Sequence, residues 1–301
     1  MKSIKITFST LVILLQLVAV NSTVKSQMLD TATAFRINIA QSNEKFPSWS
    51  KDGNRLVFQS TFKSHSEILL YDFNSDSLIT ITRGDGYKTH PVFIPKGHAI
   101  ACDVRIGNQT HIFKTNLETG ITKLLFKRKL FCKDPSFSPS GRVVVFIGYD
   151  KKSETWQLFS YDFVYDNLNQ LTRLKNKKLY RPLFSPDGKT ILFGTEDTQI
   201  PYRRSLRQIS WYGGQINMLD SLEVSSYCWM LNSYRIACSV NNPRSTSSFF
   251  TVRNDGTFVL PLCNDTIMRV TPSLSPDGKK MAVAVKFNNN FDIVVYNLMD
   301  E

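Results

Sequence analysis

Short apolar segments alternate with turn-forming residues along most of the chain. The clearest example is Arg181–Thr195, RPLFSPDGKTILFGT, in which an apolar segment, a Ser-Pro-Asp-Gly sequence and a β-branched and aromatic segment follow one another. Proline and glycine at these positions favour a tight turn, and threonine, isoleucine and phenylalanine favour strands. The pattern therefore predicts two antiparallel strands, A and B, joined by a hairpin turn.

The same hairpin pattern recurs at a nearly fixed spacing. The further copies are Phe46–Ser60, His90–Val104, Asp134–Gly148, Thr271–Val285 and a degenerate one, Tyr227–Val240, in which Ser233 replaces the turn glycine. From Gly53 to Gly278, the turn positions follow one another after 44, 44, 47, 45 and 45 residues. A constant period of this length indicates a repeat protein. We expect the degenerate hairpin to persist, with a positive φ at Asn232.

Each repeat contains two more predicted strands. In the repeat that begins at Asp134, strand C is Gln157–Tyr161, the turn is Asp162–Asn167 and strand D is Gln170–Arg173. No segment shows a 3.6-residue period over a dozen residues, so helices should be nearly absent. Four short strands in each of six repeats predict an all-β fold, a six-bladed β-propeller of four-stranded antiparallel blades.

The last repeat lacks a segment for strand D after Ile293–Tyr296. The segment Thr33–Ala40, which precedes the first strand A, has strand character and should complete the last blade. Such an arrangement closes the ring and removes an exposed sheet edge. One position in strand A is aromatic or leucine in every repeat, and we interpret this column as packing between blades: Trp49, Phe93, Phe137, Phe184, Trp229 and Leu274.

The N-terminus has the pattern of a secretory signal peptide. Lys2 and Lys5 precede the apolar run Ile6–Val20, and small or polar residues follow. We expect residues 1–26 to be removed, which leaves one propeller domain at 27–301; the alternative, an uncleaved anchor, is disfavoured because the apolar run is short for a membrane span. No cysteine precedes Cys102, so a lipid anchor is not expected.

The five cysteines are an odd number for an exported protein. Cys102 and Cys238 occupy matching positions in strand B, in AIACDV and RIACSV, and are predicted to be buried thiols. One disulfide among Cys132, Cys228 and Cys263 is conceivable, and the sequence does not select the pair.

The motif P-x-F/W-S-P-D-G followed by an apolar strand resembles the repeats of the TolB-like propellers, periplasmic relatives of the WD-repeat proteins. The resemblance extends over essentially the whole chain after the signal peptide. It implies an exported, periplasmic or secreted, platform that binds a protein or peptide of the cell envelope. TolB itself carries an additional N-terminal domain, for which we see no room between Gln27 and Phe46, so we expect an isolated propeller.

The motifs of common enzyme classes are absent from the sequence. It has no G-x-S-x-G, H-E-x-x-H or C-x-x-C. The histidines, His65, His90, His98 and His111, are not at ligand spacing, so neither a metal nor another cofactor is expected. We predict no catalytic residue. Export separates the chain from nucleic acid despite its net charge of +12, membrane contact would be peripheral, and a monomer is expected.

Connections between blades predict where a ligand would bind. The residue just before strand A should surround the mouth of the central channel, which gives His90, Asp134 and Arg181 as candidate binding residues. Basic residues of the loops on the same face would form a rim around this mouth: Lys127, Arg128, Lys129, Lys175, Lys177, Lys178, Arg203, Arg204 and Arg207. The alternative is that these are ordinary solvated loops.

Three classes of function fit this sequence. The first is a non-enzymatic platform for a protein or peptide of the cell envelope, anionic if the basic rim takes part. The second is a glycan-binding propeller that uses Tyr202, Trp211 and Tyr212 together with the basic loops. The third is a metal-dependent enzyme acting on acidic oligosaccharides, which some related propellers are; the scattered histidines argue against it.

Overall fold

The computed structural model describes residues 27–95, 97–126, 130–200, 203–219, 223–240 and 248–300. These residues form six four-stranded antiparallel sheets, which confirms the predicted all-β, six-bladed propeller. The described part of the chain contains no helix, and therefore none that is long and apolar enough to cross a membrane. The predicted signal peptide, residues 1–26, lies outside the described residues.

Each blade consists of strands A to D in chain order, except that the last blade takes its strand D from the N-terminus. Blade one is β2 (Asn43–Trp49), β3 (Arg55–Phe62), β4 (His65–Asp72) and β5 (Ser77–Thr80). Blade two is β6 (Tyr87–Phe93), β7 (Ala99–Ile106), β8 (Gln109–Asn116) and β9 (Thr122–Leu124). Blade three is β10 (Cys132–Phe137), β11 (Val143–Asp150), β12 (Thr155–Asp162) and β13 (Asn167–Gln170). Blade four is β14 (Lys177–Phe184), β15 (Thr190–Asp197), β16 (Arg204–Ser210) and β17 (Asn217–Leu219). Blade five is β18 (Ser226–Trp229), β19 (Arg235–Val240), β20 (Ser248–Arg253) and β21 (Leu260–Pro261). Blade six is β22 (Arg269–Leu274), β23 (Lys280–Phe287), β24 (Asn290–Asp300) and β1 (Gln27–Ile37).

Strand β1 closes the ring by pairing with β24, as the sequence predicts. It begins at Gln27 and ends at Ile37, so it starts earlier and ends sooner than the predicted Thr33–Ala40. The pairing is interrupted between Asp30 and Phe35, where the Asp30 carboxylate accepts hydrogen bonds from the Ala32 and Thr33 amides. Because polar residues interrupt the strand there, its first part has no continuous strand pattern in the sequence.

The core lies between the blades, where neighbouring sheets pack face to face. The predicted column in strand A belongs to this core. Trp49 packs in the cluster between blades six and one, and Trp229 in the cluster between blades four and five. Each indole also donates a hydrogen bond to strand A of the preceding blade, from Trp49 to the Ser273 carbonyl at 3.1 Å and from Trp229 to the Leu183 carbonyl at 3.2 Å. The column therefore joins blades through both apolar contact and hydrogen bonds.

The degenerate hairpin of blade five persists, with β18 and β19 paired in continuous register. The positive φ, 56°, is at Ser233 and not at Asn232, so this detail of the prediction is wrong. Asn232 instead accepts hydrogen bonds through its side-chain oxygen from the amides of Tyr234 and Arg235. Aspartates make the same contact in the turns of blades one, four and six, as Asp187 does with the Lys189 amide, so Asn232 keeps this contact in a turn without proline and glycine.

All five cysteines are free thiols, so the structure contains no disulfide among Cys132, Cys228 and Cys263. Cys102 and Cys238 are buried, as predicted.

Glu44 is a fully buried carboxyl group beside the closing blade. Its Oε1 accepts hydrogen bonds from the hydroxyls of Ser42 at 2.6 Å and Ser60 at 3.0 Å, and its Oε2 has no hydrogen-bond partner. Burial raises the pKa of Glu44 to about 7; the two serine hydrogen bonds oppose the rise, and Asp292 on β24 adds to it.

We expect the Glu44 pKa to make the fold less stable as pH rises from 5 to 8. The folded state keeps its proton up to about pH 7, whereas the unfolded chain releases it near pH 4.5. The favourable contribution is therefore present below pH 4.5 and lost as pH rises through 7. Glu44→Gln should remove on the order of 2 kcal/mol of this pH dependence in urea titrations. Glu118→Gln, at an exposed glutamate, is the control, and an unchanged pH profile for Glu44→Gln would contradict the assignment.

We also expect Ile37 to be required for closure of the ring. Its side chain is 5% exposed and packs against Trp49, Leu56 and Ile293 in the cluster between blades six and one. Ile37→Ala should lower the free energy of unfolding by about 2–4 kcal/mol, because it leaves a cavity at this junction. Thr31→Ala, at an exposed position of the same strand, should shift it by no more than about 0.5 kcal/mol. Equal denaturant midpoints for the two variants would show that β1 contributes little.

Candidate functional site

Strand A carries the same backbone irregularity in five of the six blades. The residue before the strand's proline has a φ between 49° and 56°, and the pairing with strand B shifts register at that point: Phe46, His90, Asp134, Arg181 and Thr271. The prediction placed these residues just before strand A. The structure places them within it, because the residues that precede them already pair with strand B. In blade five Tyr227 takes the place of the proline, and the register is continuous.

The irregularity frees a backbone amide, and in four of the five strands a side chain of the preceding blade accepts it. The Phe46 amide donates to Thr271 Oγ1 at 3.1 Å, the Thr271 amide to Ser226 Oγ at 2.9 Å, the Arg181 amide to Asp134 Oδ2 at 3.0 Å and the Asp134 amide to Asp103 Oδ1 at 2.9 Å. A positive φ at a non-glycine residue costs about 1–3 kcal/mol, so it persists only where the surroundings fix it. These hydrogen bonds provide that support.

The predicted channel residues are brought together around one cavity. Phe46, His90, Asp134 and Arg181 line it together with the prolines of strand A, and its volume is about 210 Å³. Four of the five irregular positions thus place different side chains at the wall of this cavity. The channel-lining residues are consequently diverse, although the backbone that carries them is uniform.

His90 lies between two buried carboxylates. Its Nδ1 is 2.7 Å from Asp103 Oδ2, with which it forms a hydrogen bond, and 2.9 Å from Asp134 Oδ1. Asp103 is 2% exposed and Asp134 is 5% exposed. Burial disfavours the imidazolium, but Asp134 and Asp103 outweigh it and raise the pKa of His90 well above its ordinary value. Burial likewise opposes ionisation of Asp134, yet the positive His90 lowers the pKa of that carboxyl.

Arg181 connects blades across the channel. Its Nη2 donates to the Pro272 carbonyl of blade six at 3.0 Å, while Nη1 is buried without a hydrogen-bond partner. The guanidinium carbon is 5.8 Å from the centre of the Phe46 ring and 5.9 Å from that of Tyr227. Burial lowers the pKa of Arg181, although a guanidinium remains charged at neutral pH. Arg181 is thus a buried cation in the site, and one of its donor atoms, Nη1, has no hydrogen-bond partner.

The sequence analysis missed Asp103. This residue faces Thr89 across the sheet, and the equivalent strand B positions in the other blades hold Gln59, Ile147, Gly194, Ser239 and Ala284. Aligning the strand B segments would have shown that only blade two has an acidic residue there.

Within the described residues, the predicted basic rim also contains acidic side chains, so its charge is mixed. Lys127, Arg128 and Lys129 lie outside the described residues. The remaining rim residues belong to blade four, where Lys175, Lys177, Lys178, Arg203 and Arg204 lie at or next to strand ends and Arg207 lies in the middle of β16, not in a loop as predicted. Lys177 forms an ion pair with Asp197 at 2.6 Å and Arg204 one with Glu196 at 3.4 Å.

The other rim residues of blade four differ in their contacts. Lys175, Lys178 and Arg203 are exposed, and Arg207 donates through Nε to Thr195 Oγ1 at 3.1 Å. Strand β15 ends at Asp197 and β16 begins at Arg204, so Glu196 and Arg207 lie in strands and only residues 198–203 connect them.

Comparisons with known proteins agree on one architecture. The family model described as the TolB β-propeller domain matches residues 12–230. The Tol-Pal system protein TolB of Francisella tularensis subsp. mediasiatica is 28% identical over 239 residues, which are 76% of this chain and 54% of that protein. The chain therefore spans about half the length of the curated relatives it matches.

Solved structures resemble the chain at the level of the fold. A putative TolB from Agrobacterium tumefaciens superimposes with a TM-score of 0.66 at 16% identity, covering 90% of this chain and 98% of that one. An oligogalacturonate lyase from Vibrio parahaemolyticus gives a TM-score of 0.61 at 10% identity, covering 91% and 96%. At such low identities these likenesses show the shared fold alone.

We expect the hydrogen bonds between blades at the channel to stabilise the ring. Ser226→Ala removes the acceptor for the Thr271 amide and leaves a buried donor unsatisfied, so it should lower the free energy of unfolding by about 1–3 kcal/mol. Ser75→Ala, at an exposed serine of a C–D turn, should change it by no more than about 0.5 kcal/mol. Equal stability of the two variants in urea denaturation would show that the ring of hydrogen bonds is not stabilising.

Proposed function

Because the chain belongs to the TolB β-propeller domain family, we propose that it is an exported, non-enzymatic protein of the bacterial cell envelope that binds a polypeptide at the mouth of its channel. The observation that carries this proposal is the convergence of His90, Asp134 and Arg181 on one cavity through strained backbone positions. Strain of this kind is concentrated at functional sites. The predicted export and envelope location belong to the same proposal.

The size and lining of the cavity favour one end or one side chain of a polypeptide. A volume of about 210 Å³ is below the range of roughly 300–1,000 Å³ typical of small-molecule sites. The lining combines prolines and an aromatic ring with the unused donor of Arg181, which a carbonyl or carboxylate oxygen of a peptide would satisfy. The rest of the partner would then lie across the surrounding face.

The charges near the channel mouth favour an acidic partner. Lys177 and Arg204 are paired with acids, so the cations available to a partner in blade four are the exposed Lys175, Lys178 and Arg203. Exposed charges of one sign accelerate association with a partner of opposite charge. The relatives' name, Tol-Pal system protein, supports a partner that is itself a protein of the envelope.

Site-specific crosslinking would show which face of the propeller contacts the polypeptide. A photoreactive amino acid at Lys178, near the start of strand A in blade four, is compared in living cells with one at Lys189, in the turn after the same strand. We expect a discrete polypeptide adduct from position 178 and none from position 189. Adducts from position 189 alone, or capture of glycan in place of polypeptide, would contradict the proposal.

Charge reversal should then weaken binding of the polypeptide captured in this way. Lys178→Glu with Arg203→Glu should raise the Kd at least about 10-fold at low salt and flatten its dependence on ionic strength, because it removes favourable long-range attraction. Lys189→Glu with Lys279→Glu changes the net charge equally on the opposite face and is the control. If both pairs alter the Kd and its salt dependence equally, binding is not at the channel mouth.

A further inference from the structure

Two carboxylate oxygens face His90 Nδ1, which carries a single hydrogen. Nδ1 can donate a single hydrogen, and it donates this to Asp103 Oδ2 at 2.7 Å. Asp134 Oδ1, which is 2.9 Å from the same nitrogen, is buried and receives no hydrogen bond. A buried carboxylate oxygen without a hydrogen bond is costly, so this oxygen is an acceptor that awaits a ligand.

The second oxygen of each carboxylate is held by the ring of channel hydrogen bonds. Asp103 Oδ1 accepts from the Asp134 amide at 2.9 Å, and Asp134 Oδ2 accepts from the Arg181 amide at 3.0 Å. Thr89 Oγ1 donates to Asp103 Oδ2 at 3.0 Å and so fixes that oxygen too. These contacts orient one oxygen of each aspartate toward His90 Nδ1. Support of this kind is what orients the ligands of metal sites.

The distances from His90 Nδ1 to the two aspartate oxygens suit neighbouring ligands of one metal ion. For metal–ligand bonds of about 2.1 Å at right angles, neighbouring ligand atoms are about 3.0 Å apart. The nitrogen–oxygen distances of 2.7 and 2.9 Å are close to this value, and one ligand atom from each of the three residues lies within 4.8 Å of the others. Small outward shifts would admit an ion.

We propose that His90, Asp103 and Asp134 bind a first-row divalent transition metal, such as Zn²⁺ or Mn²⁺, at the wall of the channel. The metal takes the place of the Nδ1 hydrogen, which leaves as a proton to solvent, and bonds the imidazole nitrogen and one oxygen of each aspartate. One imidazole and two carboxylates suit these ions better than Ca²⁺, which prefers six to eight oxygen ligands. The proposal does not depend on the binding of a polypeptide.

The site is also electrostatically suited to a dication. Two buried carboxylates supply a charge of −2, which exceeds the single positive charge that Arg181 contributes to the same cavity. His90 itself is the residue that exchanges its hydrogen for the metal. Its side chain is 27% exposed, so an ion can enter from the channel and keep water or a ligand on its open positions.

Metal titration of the full chain tests the proposal directly. Chelator-treated protein is titrated with ZnCl₂, MnCl₂ and CaCl₂ by calorimetry, and bound metal is counted by elemental analysis. We expect one saturable site per chain for Zn²⁺ and Mn²⁺, binding of Zn²⁺ at least about 10-fold tighter than that of Ca²⁺, and a melting temperature raised by about 5 °C at saturating Zn²⁺. Absence of a saturable transition-metal site in the wild-type chain would overturn the proposal.

Variants locate the site. Asp134→Asn and Asp103→Asn keep the size of each side chain and the oxygen that accepts the backbone amide of the next blade. We expect each to weaken Zn²⁺ binding at least about 10-fold. His98→Gln, at an exposed histidine paired with Glu118, is the matched control and should leave binding unchanged.

If the asparagine variants unfold, the imidazole NMR signals of the wild-type chain show where the metal binds. Zn²⁺ should shift the signals of His90 and not those of His98. Loss of binding in His98→Gln, or shifts at His98 alone, would refute the assignment.

Discussion

The irregularity in strand A is the constraint on which the rest of the structure depends. At five positions around the ring a non-glycine residue adopts a positive φ next to a proline, and the strand changes register there. This conformation is costly by itself. In four of the five strands a side chain of the preceding blade accepts the amide that the irregularity frees, as Ser226 does for Thr271. Neighbouring blades therefore complete these backbones, and the pairing of β1 with β24 closes the ring that holds the blades together.

The architecture could be predicted from sequence because its signals are local and repeated. The hairpin turns, the apolar B strands and the aromatic or leucine position of strand A recur with each repeat. An unclear strand assignment in one repeat can therefore be made from the others. Blade five illustrates this: its turn lost both proline and glycine, yet β18 and β19 form because the strands and spacing remain. The start of β1 was predicted less well, because Asp30 and its neighbours interrupt the strand pattern and the pairing with β24 decides the limits.

The site could be predicted only in part, because it depends on contacts between blades. Position within the repeat was enough to place His90, Asp134 and Arg181 around the channel. The role of Asp103 depends on the irregularity, which turns the amide of Asp134 in the next blade toward its carboxylate. The pairing of Lys177 with Asp197 likewise follows from strand register, and it removes charge that the sequence alone assigned to the rim.

The contrast between uniform backbone and varied side chains indicates which part of the ring is specialised. The equivalent channel position holds Phe46, His90, Asp134, Arg181, Ser226 and Thr271 in the six blades. From blade five through blade six to blade one, the hydroxyls of Ser226 and Thr271 are the acceptors of the hydrogen bonds between neighbours. Blades two to four use charged groups at the same positions, although burying a charge costs far more than burying a hydroxyl. Asp103 and Asp134 accept inter-blade amides as the hydroxyls do, but a hydroxyl is sufficient for that contact elsewhere in the ring. The charges of blades two to four therefore exceed what these hydrogen bonds need, as expected if this half of the channel is the proposed binding site.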